Sequence, residues 1–232
     1  MRRLTLEPGV DPADAAALVR HAIAAAGSGE LEVDAEPAPD ELDAAVRGEG
    51  LVLTRTLLQM RRPLPVPPAD RGAARAPVPL RAFRPGVDDD AWLAVNNRAF
   101  AWHPEQSGWT LDDLAERMAE PWFRADGFLV HDGPADGPAN GPASAIDAFC
   151  WTKIHTDHDP PLGEIYVIGV DPDAHGRGLG RALTLGGLDW LADHGLTIGM
   201  LYVEADNDAA VGLYRDLGFT EHLAHRWWRS PA

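Results

Sequence analysis

Apolar and polar positions separate strands from helices most clearly in the last third of the chain. Ile165–Val170 is an apolar run rich in β-branched residues and predicts a buried strand, closed by the Asp171-Pro172 pair. Leu179–Ala192 carries apolar residues at helical spacing, and Leu201–Ala205 predicts a second strand. Residues 206–219 predict a short helix, capped near Asp206-Asn207-Asp208 and ended by Gly218. Upstream, the pattern predicts strands at Leu80–Phe83, Gly127–His131 and Ile146–Ile154, with helices at Asp88–Ala101 and Thr110–Ala119. Asp11–Ala26 predicts a capped, alanine-rich helix. Between these elements, Gly133–Ser144 (GPADGPANGPAS) is low-complexity and predicts an enlarged hairpin turn. Pro63–Pro79, with six prolines, predicts a semi-rigid linker.

Composition narrows the partners. Hydrophobic residues make up 45% of 232 residues, enough for a packed core, yet no run approaches the ~20 apolar residues of a membrane span. No basic segment followed by an apolar one marks the chain for secretion. A net charge of −16 repels nucleic acid and anionic membranes alike, so any phosphate ligand must find positive charge locally. The only cysteine, Cys150, sits in an apolar run, which predicts a buried structural thiol and fits a reducing compartment, the cytoplasm. His155-Thr156-Asp157-His158-Asp159 offers metal ligands on paper. Without a further cluster at zinc-like spacing it reads as a solvated hairpin loop, and no metal is expected.

The candidate chemistry lies where the first strand meets the first helix. His175-Gly176-Arg177-Gly178-Leu179-Gly180 has three glycines at alternate positions, opening a helix. Glycine lets backbone N–H groups approach a ligand, and the unpaired donors and dipole of a helix start favour a phosphate. Arg177 and Arg181 add charge beside it. The spacing is G-x-G-x-G rather than the dinucleotide G-x-G-x-x-G, and the Gly-Lys-Ser/Thr of NTPase loops is absent. These six residues alone also allow a glycine-rich turn with no ligand.

The segment resembles the acetyl-CoA loop of the GNAT superfamily of N-acetyltransferases, with His175 where that pattern has Gln or Arg. Asn207-Asp208-Ala209-Ala210-Val211-Gly212, followed by Tyr214 and Gly218-Phe219, resembles the second half of the same cofactor site. Further matches make Leu80–Arg229 similar to the mycothiol synthases within that superfamily. They include Ala99-Phe100-Ala101-Trp102-His103-Pro104-Glu105-Gln106, Phe149-Cys150-Trp151-Thr152-Lys153 and Gly163-Glu164-Ile165-Tyr166-Val167-Ile168-Gly169-Val170.

The resemblance implies an α/β fold, a GNAT-type mixed sheet flanked by helices, with acetyl-CoA as co-substrate. In that fold two parallel strands, here Glu164–Val170 and Ile198–Ala205, splay apart. It implies Glu164 as general base and Tyr214 as general acid. Cofactor contacts would come from Ile168, Gly169 and Val170, from His175 through Arg181, and from Asn207 through Gly212. Glu105, Lys153, Glu164 and Tyr202 would contact the acceptor, a cysteinyl-glucosaminyl-inositol. Lys153 is also the only lysine of the chain.

Residues 1–63 read as a partial, degenerate copy of the same fold. Val10-Asp11-Pro12-Ala13-Asp14 parallels Val170-Asp171-Pro172-Asp173-Ala174, and Leu31-Glu32-Val33-Asp34-Ala35 parallels Leu201-Tyr202-Val203-Glu204-Ala205, without the glycine loop. The expected organisation is a half-domain at 1–63, a linker at 64–79 and a catalytic domain at 80–232. It would act as a monomer or weak homodimer, making mycothiol from acetyl-CoA and its small-molecule acceptor. Acetylation of a protein N-terminus or another small amine, or CoA binding without catalysis, are the alternatives.

Overall fold

A computed structural model describes residues 1–27, 29–72, 77–101, 108–133 and 146–231. The elements run β1 (Arg2–Leu6), α1 (Pro12–Ala26), β2 (Leu31–Ala35), α2 (Asp40–Gly48), β3 (Val52–Pro63), β4 (Arg81–Ala82), α3 (Asp89–Ala99), α4 (Leu111–Met118), β5 (Phe128–Asp132), β6 (Ile146–His155), β7 (Leu162–Val170), α5 (Leu179–Asp193), β8 (Ile198–Glu204), α6 (Asp208–Asp216) and β9 (Thr220–Arg229). Helix boundaries follow their caps. Asp11 accepts from the Ala13 N–H at the start of α1, and Thr110 and Asp113 form a reciprocal capping box on α4.

Contacts divide the chain into two units, Met1–Arg61 with Tyr202–Ala232, and Arg62–Leu201. This differs from the division at 1–63, 64–79 and 80–232 read from the sequence: the last thirty-odd residues belong with the first sixty. The cause is a strand insertion. β9 runs antiparallel to both β2 and β3, pairing Val33 with Trp228 on one side and Leu53 with Trp228 on the other. The strands of the first unit lie in the order β1-β2-β9-β3, with β1 and β2 parallel. Trp228 is fully buried among Leu6, Val19, Leu31, Val33, Leu42 and Val46, and its indole donates to Asp43 Oδ1 at 2.7 Å. Glu32, also buried, accepts from Arg3 on β1 and from Arg229 on β9 at 2.8 Å each.

In the second unit the order is β8-β7-β6-β5-β4, antiparallel except for the parallel pair β7/β8. The strand predicted at Leu80–Phe83 shrinks to Arg81–Ala82 at the edge, and β7 begins three residues before the predicted Ile165. That extension pairs on both sides, Glu164 facing Lys153 in β6 and Met200 in β8. Side chains of successive strand residues point to opposite faces. Phe149 and Trp151 accordingly meet α3 through Trp92, with ring centroids 5.3 and 6.0 Å away, and Phe128 stacks on Trp151 at 4.4 Å. Cys150 and Thr152 face α5, where Gly187 permits close approach. A Cβ there would lie 2.7 Å from Ile165 Cδ1 and 2.8 Å from Cys150 Sγ. Cys150 is the buried thiol expected, and burial pushes its pKa up.

Candidate functional site

Strand β7 carries most of the candidate chemistry. Its ladder with β8 holds only three pairs, Gly163 with Gly199, Glu164 with Met200 and Ile165 with Leu201. On its other edge the ladder with β6 slips at Tyr166: Val167 faces Trp151 while Ile165 faces Thr152. One extra residue in a strand unpairs it locally and bends the chain. The Asp171 N–H donates to Asp147 O at 2.7 Å. By the alternation of an antiparallel ladder, Ile168 and Val170 then turn their N–H groups to the edge away from β6, beyond the last β8 pair. Gly169 faces Phe149 instead, where a Cβ would fall 2.7 Å from the ring, so its value is packing.

At the end of β7 the chain turns through Pro172–Ala174. Asp171 anchors this turn by accepting from Asp173 N at 3.0 Å and from Arg98 Nε at 2.8 Å. His175 Nε2 lies 3.2 Å from Val170 O. Gly176 and Gly178 have φ of +78° and +80°, a region that other residues enter only with strain. Gly178 is the N-cap of α5, and no side chain caps it. The first N–H groups of α5, at Leu179, Gly180 and Arg181, have no carbonyl within the helix to bond. Leu179 is buried, so only its backbone can face a ligand. Positive φ at two glycines, an uncapped helix start and an exposed Arg177 fit the phosphates of a CoA.

The arginines are less free than the sequence suggests. Arg177 Nη1 donates to Asp147 Oδ2 at 2.9 Å, and buried Asp147 also holds buried His131 Nδ1. A guanidinium has five donors, and the Arg177 side chain is 49% exposed, which leaves it able to serve an anion as well. Half-buried Arg181 lies beside Gly72, its Nη1 3.2 Å from where a Cβ would stand.

Near its start, β7 presents Glu164, 6% exposed. Its Oε2 is 2.7 Å from His155 Nε2 at the end of β6. Lys153, directly across the ladder from Glu164, places its ammonium over aromatic rings, 4.8 Å from the centre of Trp122 and 5.5 Å from that of Tyr166. Burial pushes the Tyr166 phenol above its ordinary pKa. Glu164 and Lys153, both expected acceptor contacts, thus lie together. His155, Trp122 and Tyr166 were missed. The signal was present for His155: it alternates with Lys153 along β6, so both share one face. Glu105, the fourth expected acceptor contact, lies outside the described residues.

The remaining expected residues belong to the other unit. Tyr202 is 38% exposed, and its hydroxyl accepts from Gln59 Nε2 at 2.7 Å. Asn207 caps α6, accepting from Ala210 N at 3.1 Å, which commits its side chain to the helix. Asp208 and Ala209 are exposed in the first turn of α6, Val211 is buried, and nothing fills the space at Gly212. Tyr214 is 6% exposed and packs edge-on against Phe219, with ring centroids 5.8 Å apart.

The turn after β6 brings donors together that the sequence reading had set aside. The ligating atoms of His155, Asp157 and His158 lie within 4.8 Å of one another. No helix among the described residues is long and apolar enough to cross a membrane.

Residues 97–219 match the model of the acetyltransferase (GNAT) family. The chain is similar to a mycothiol acetyltransferase of Thermomonospora curvata, 47% identical over 81% of this chain and 59% of that protein. It is 53% identical to one of Salinispora arenicola, over 74% of this chain and 53% of that one. The chain therefore spans little more than half the length of these curated relatives. Among solved structures, a GCN5-related N-acetyltransferase of Sphaerobacter thermophilus superposes with a TM-score of 0.65 at 20% identity, covering 88% of this chain and 60% of that one, a likeness of fold.

Proposed function

The chain belongs to the acetyltransferase (GNAT) family, and from that premise we propose that it transfers the acetyl group of acetyl-CoA to the cysteine amine of a cysteinyl-glucosaminyl-inositol, giving mycothiol. The observation that carries the reading is the order of groups along β7. A buried carboxylate at Glu164 comes first, then the end of the β8 ladder and the bulge at Tyr166. The outward N–H groups of Ile168 and Val170 follow, and last the glycine turn into an uncapped helix. A single strand of about 3.3 Å per residue thereby offers a base, an oxyanion site and a phosphate cradle in sequence.

In this reading Glu164 takes a proton from the acceptor ammonium, directly or through a water, and His155 holds the carboxylate in position. The freed amine forms the new N–C bond at the thioester carbonyl. Negative charge gathering on the carbonyl oxygen is met by backbone N–H groups at Ile168 and Val170. The C–S bond then breaks; by the family resemblance alone, the Tyr214 hydroxyl gives its proton to the departing thiolate and regains the one that the new amide nitrogen gives up. Lys153 would bind the polyol by hydrogen bonds, which strengthen when one partner is charged, and Tyr202 is an expected contact from the family resemblance alone. Glu105 is carried over from the family's acceptor contacts only.

The fold of residues 1–61 supports an ancestral duplication. β1–α1–β2–α2–β3 repeats the element order of β7–α5–β8–α6–β9, and both β1/β2 and β7/β8 are parallel. The turn from β1 to α1 has one positive-φ glycine, Gly9, where the other has two, and no arginine, so we assign one acetyl-CoA per chain to the glycine loop alone. The buried free thiol suits the cytoplasm, and we assign a monomer or weak homodimer as the working form.

Incubation with acetyl-CoA and the cysteinyl-glucosaminyl-inositol, with product identified by mass, tests the reading. Acetylation of that acceptor at rates well above peptides and simple amino sugars is the expected result. Activity confined to peptides or other amines would overturn the acceptor, and acetyl-CoA binding without turnover would overturn the enzyme.

A further inference from the structure

We propose that the turn His155–Asp157–His158 binds one divalent transition-metal ion of the zinc class and that the bound ion slows acetyl transfer through Glu164. Among the described residues this is the one place where three such donors converge, although the chain holds 36 acidic residues and nine histidines. Convergence here is therefore not a by-product of a generally acidic surface. The two imidazole rings stand nearly perpendicular, 77° apart with centroids at 6.1 Å. Two imidazoles and one carboxylate favour zinc-class ions over magnesium or calcium, which prefer all-oxygen sites. Three protein ligands leave a fourth, open position.

His155 is what ties the turn to the reaction. Its Nε2 faces Glu164 Oε2 at 2.7 Å, and in the proposed site Nδ1 is the nitrogen that takes the ion. Histidines that ligate metals commonly give their other ring N–H to a carboxylate, and that partner is already in place here. Metal at Nδ1 would hold the imidazole in place against Glu164, so that the carboxylate stays engaged with Nε2 and cannot turn to an acceptor amine. The ion is thus a regulator rather than a participant in the chemistry. The inhibitory half of the proposal rests on Glu164 being the base, whereas the binding half does not.

The experiment has two arms on the full chain, stripped of metal. In the first, Zn²⁺ is titrated calorimetrically, with the imidazole ¹⁵N resonances followed by NMR. One equivalent should bind saturably and shift two histidines. Mg²⁺ should not bind, and His158→Ala should weaken Zn²⁺ binding at least tenfold. In the second, acetylated product is counted by mass, since free CoA thiol itself binds zinc. Zn²⁺ at a concentration that just saturates the wild type should slow it at least tenfold, reversibly on chelation, and slow His158→Ala far less. Absence of a 1:1 event, or equal binding by His158→Ala, would overturn the site. His158-dependent binding with undiminished turnover would overturn the link to Glu164. An enzyme inactive with and without metal would refute the proposed reaction, and the first arm would still decide the site.

Discussion

His155 Nε2 and Glu164 Oε2 meet at 2.7 Å across the β6–β7 hairpin, even though Lys153 is the residue directly opposite Glu164 in the ladder. The lysine turns to the Trp122 and Tyr166 rings, and the diagonal histidine takes the carboxylate. An imidazole can donate to a carboxylate without carrying a full charge, the arrangement that the proposed base requires.

Replacing Glu164 by Gln keeps shape and hydrogen bonding but removes the acceptor. Turnover should fall by about 10²–10⁴, with acetyl-CoA affinity close to wild type because the glycine turn is untouched. Calorimetry and steady-state rates measure the two separately. A loss of activity only in step with lost thermal stability would make Glu164 structural.

His155→Asn shortens the side chain so that it no longer reaches Glu164. If His155 positions the base, kcat should fall more than tenfold while KM for acetyl-CoA stays unchanged, and the pH profile of kcat should move. His155→Gln, which can reach the carboxylate with its amide, should restore part of the rate. A purely structural histidine would lower folded protein without moving the pH profile.

For Tyr214→Phe only the hydroxyl is lost, and the ring keeps its contact with Phe219. Stability should change little. Turnover should drop for acetyl-CoA and be partly rescued with an aryl-thioester donor, whose thiolate leaves unaided. Equal rates for variant and wild type on acetyl-CoA would remove Tyr214 from the mechanism.

At Gly178, φ is +80° and a β-branched side chain is strained whatever space surrounds it. Gly178→Val should raise the Kd for acetyl-CoA at least tenfold by distorting the turn and blocking the backbone's approach. The wild type should titrate as one site per chain. Two equivalent sites would show that residues 1–61 also bind.

Glu32 gives a pH-dependent stability. Hydrogen bonds from Arg229, reinforced by Arg3, outweigh the opposing effect of burial and hold its carboxyl below the ordinary value. A depressed folded pKa contributes stability that is present above the ordinary glutamate value of about 4.3 and is lost as pH falls through the folded value. Glu32→Gln should therefore flatten the acid limb of a Tm-against-pH curve and cost about 1.5–3 kcal/mol at pH 7. An unchanged acid limb would contradict this.

Local pattern by itself determined much of this protein. Alternation and helical spacing located β6, β7, β8, α5 and α6 to within a few residues, because each buries a face that only its own period can present. Three glycines around the start of α5 announced a turn that needs positive φ, and the two before it, Gly176 and Gly178, adopt it. The resemblance to a known family, rather than the local pattern, then pointed to Glu164, Lys153 and Tyr214.

What only the tertiary structure decided involves partners far apart in the chain. Thr220–Arg229 reads as a C-terminal strand, yet nothing in its residues says that it enters between β2 and β3, because strand pairing joins generic backbone groups at any sequence distance. Nor could composition show that Arg177 is tied to Asp147 or that Glu164 meets His155 instead of Lys153. Those choices depend on a one-residue slip of register at Tyr166 and on which aromatic rings lie within reach of Lys153. Register and side-chain reach exist only once the strands have paired, so the chemistry of the residues was legible in the sequence while their company was not.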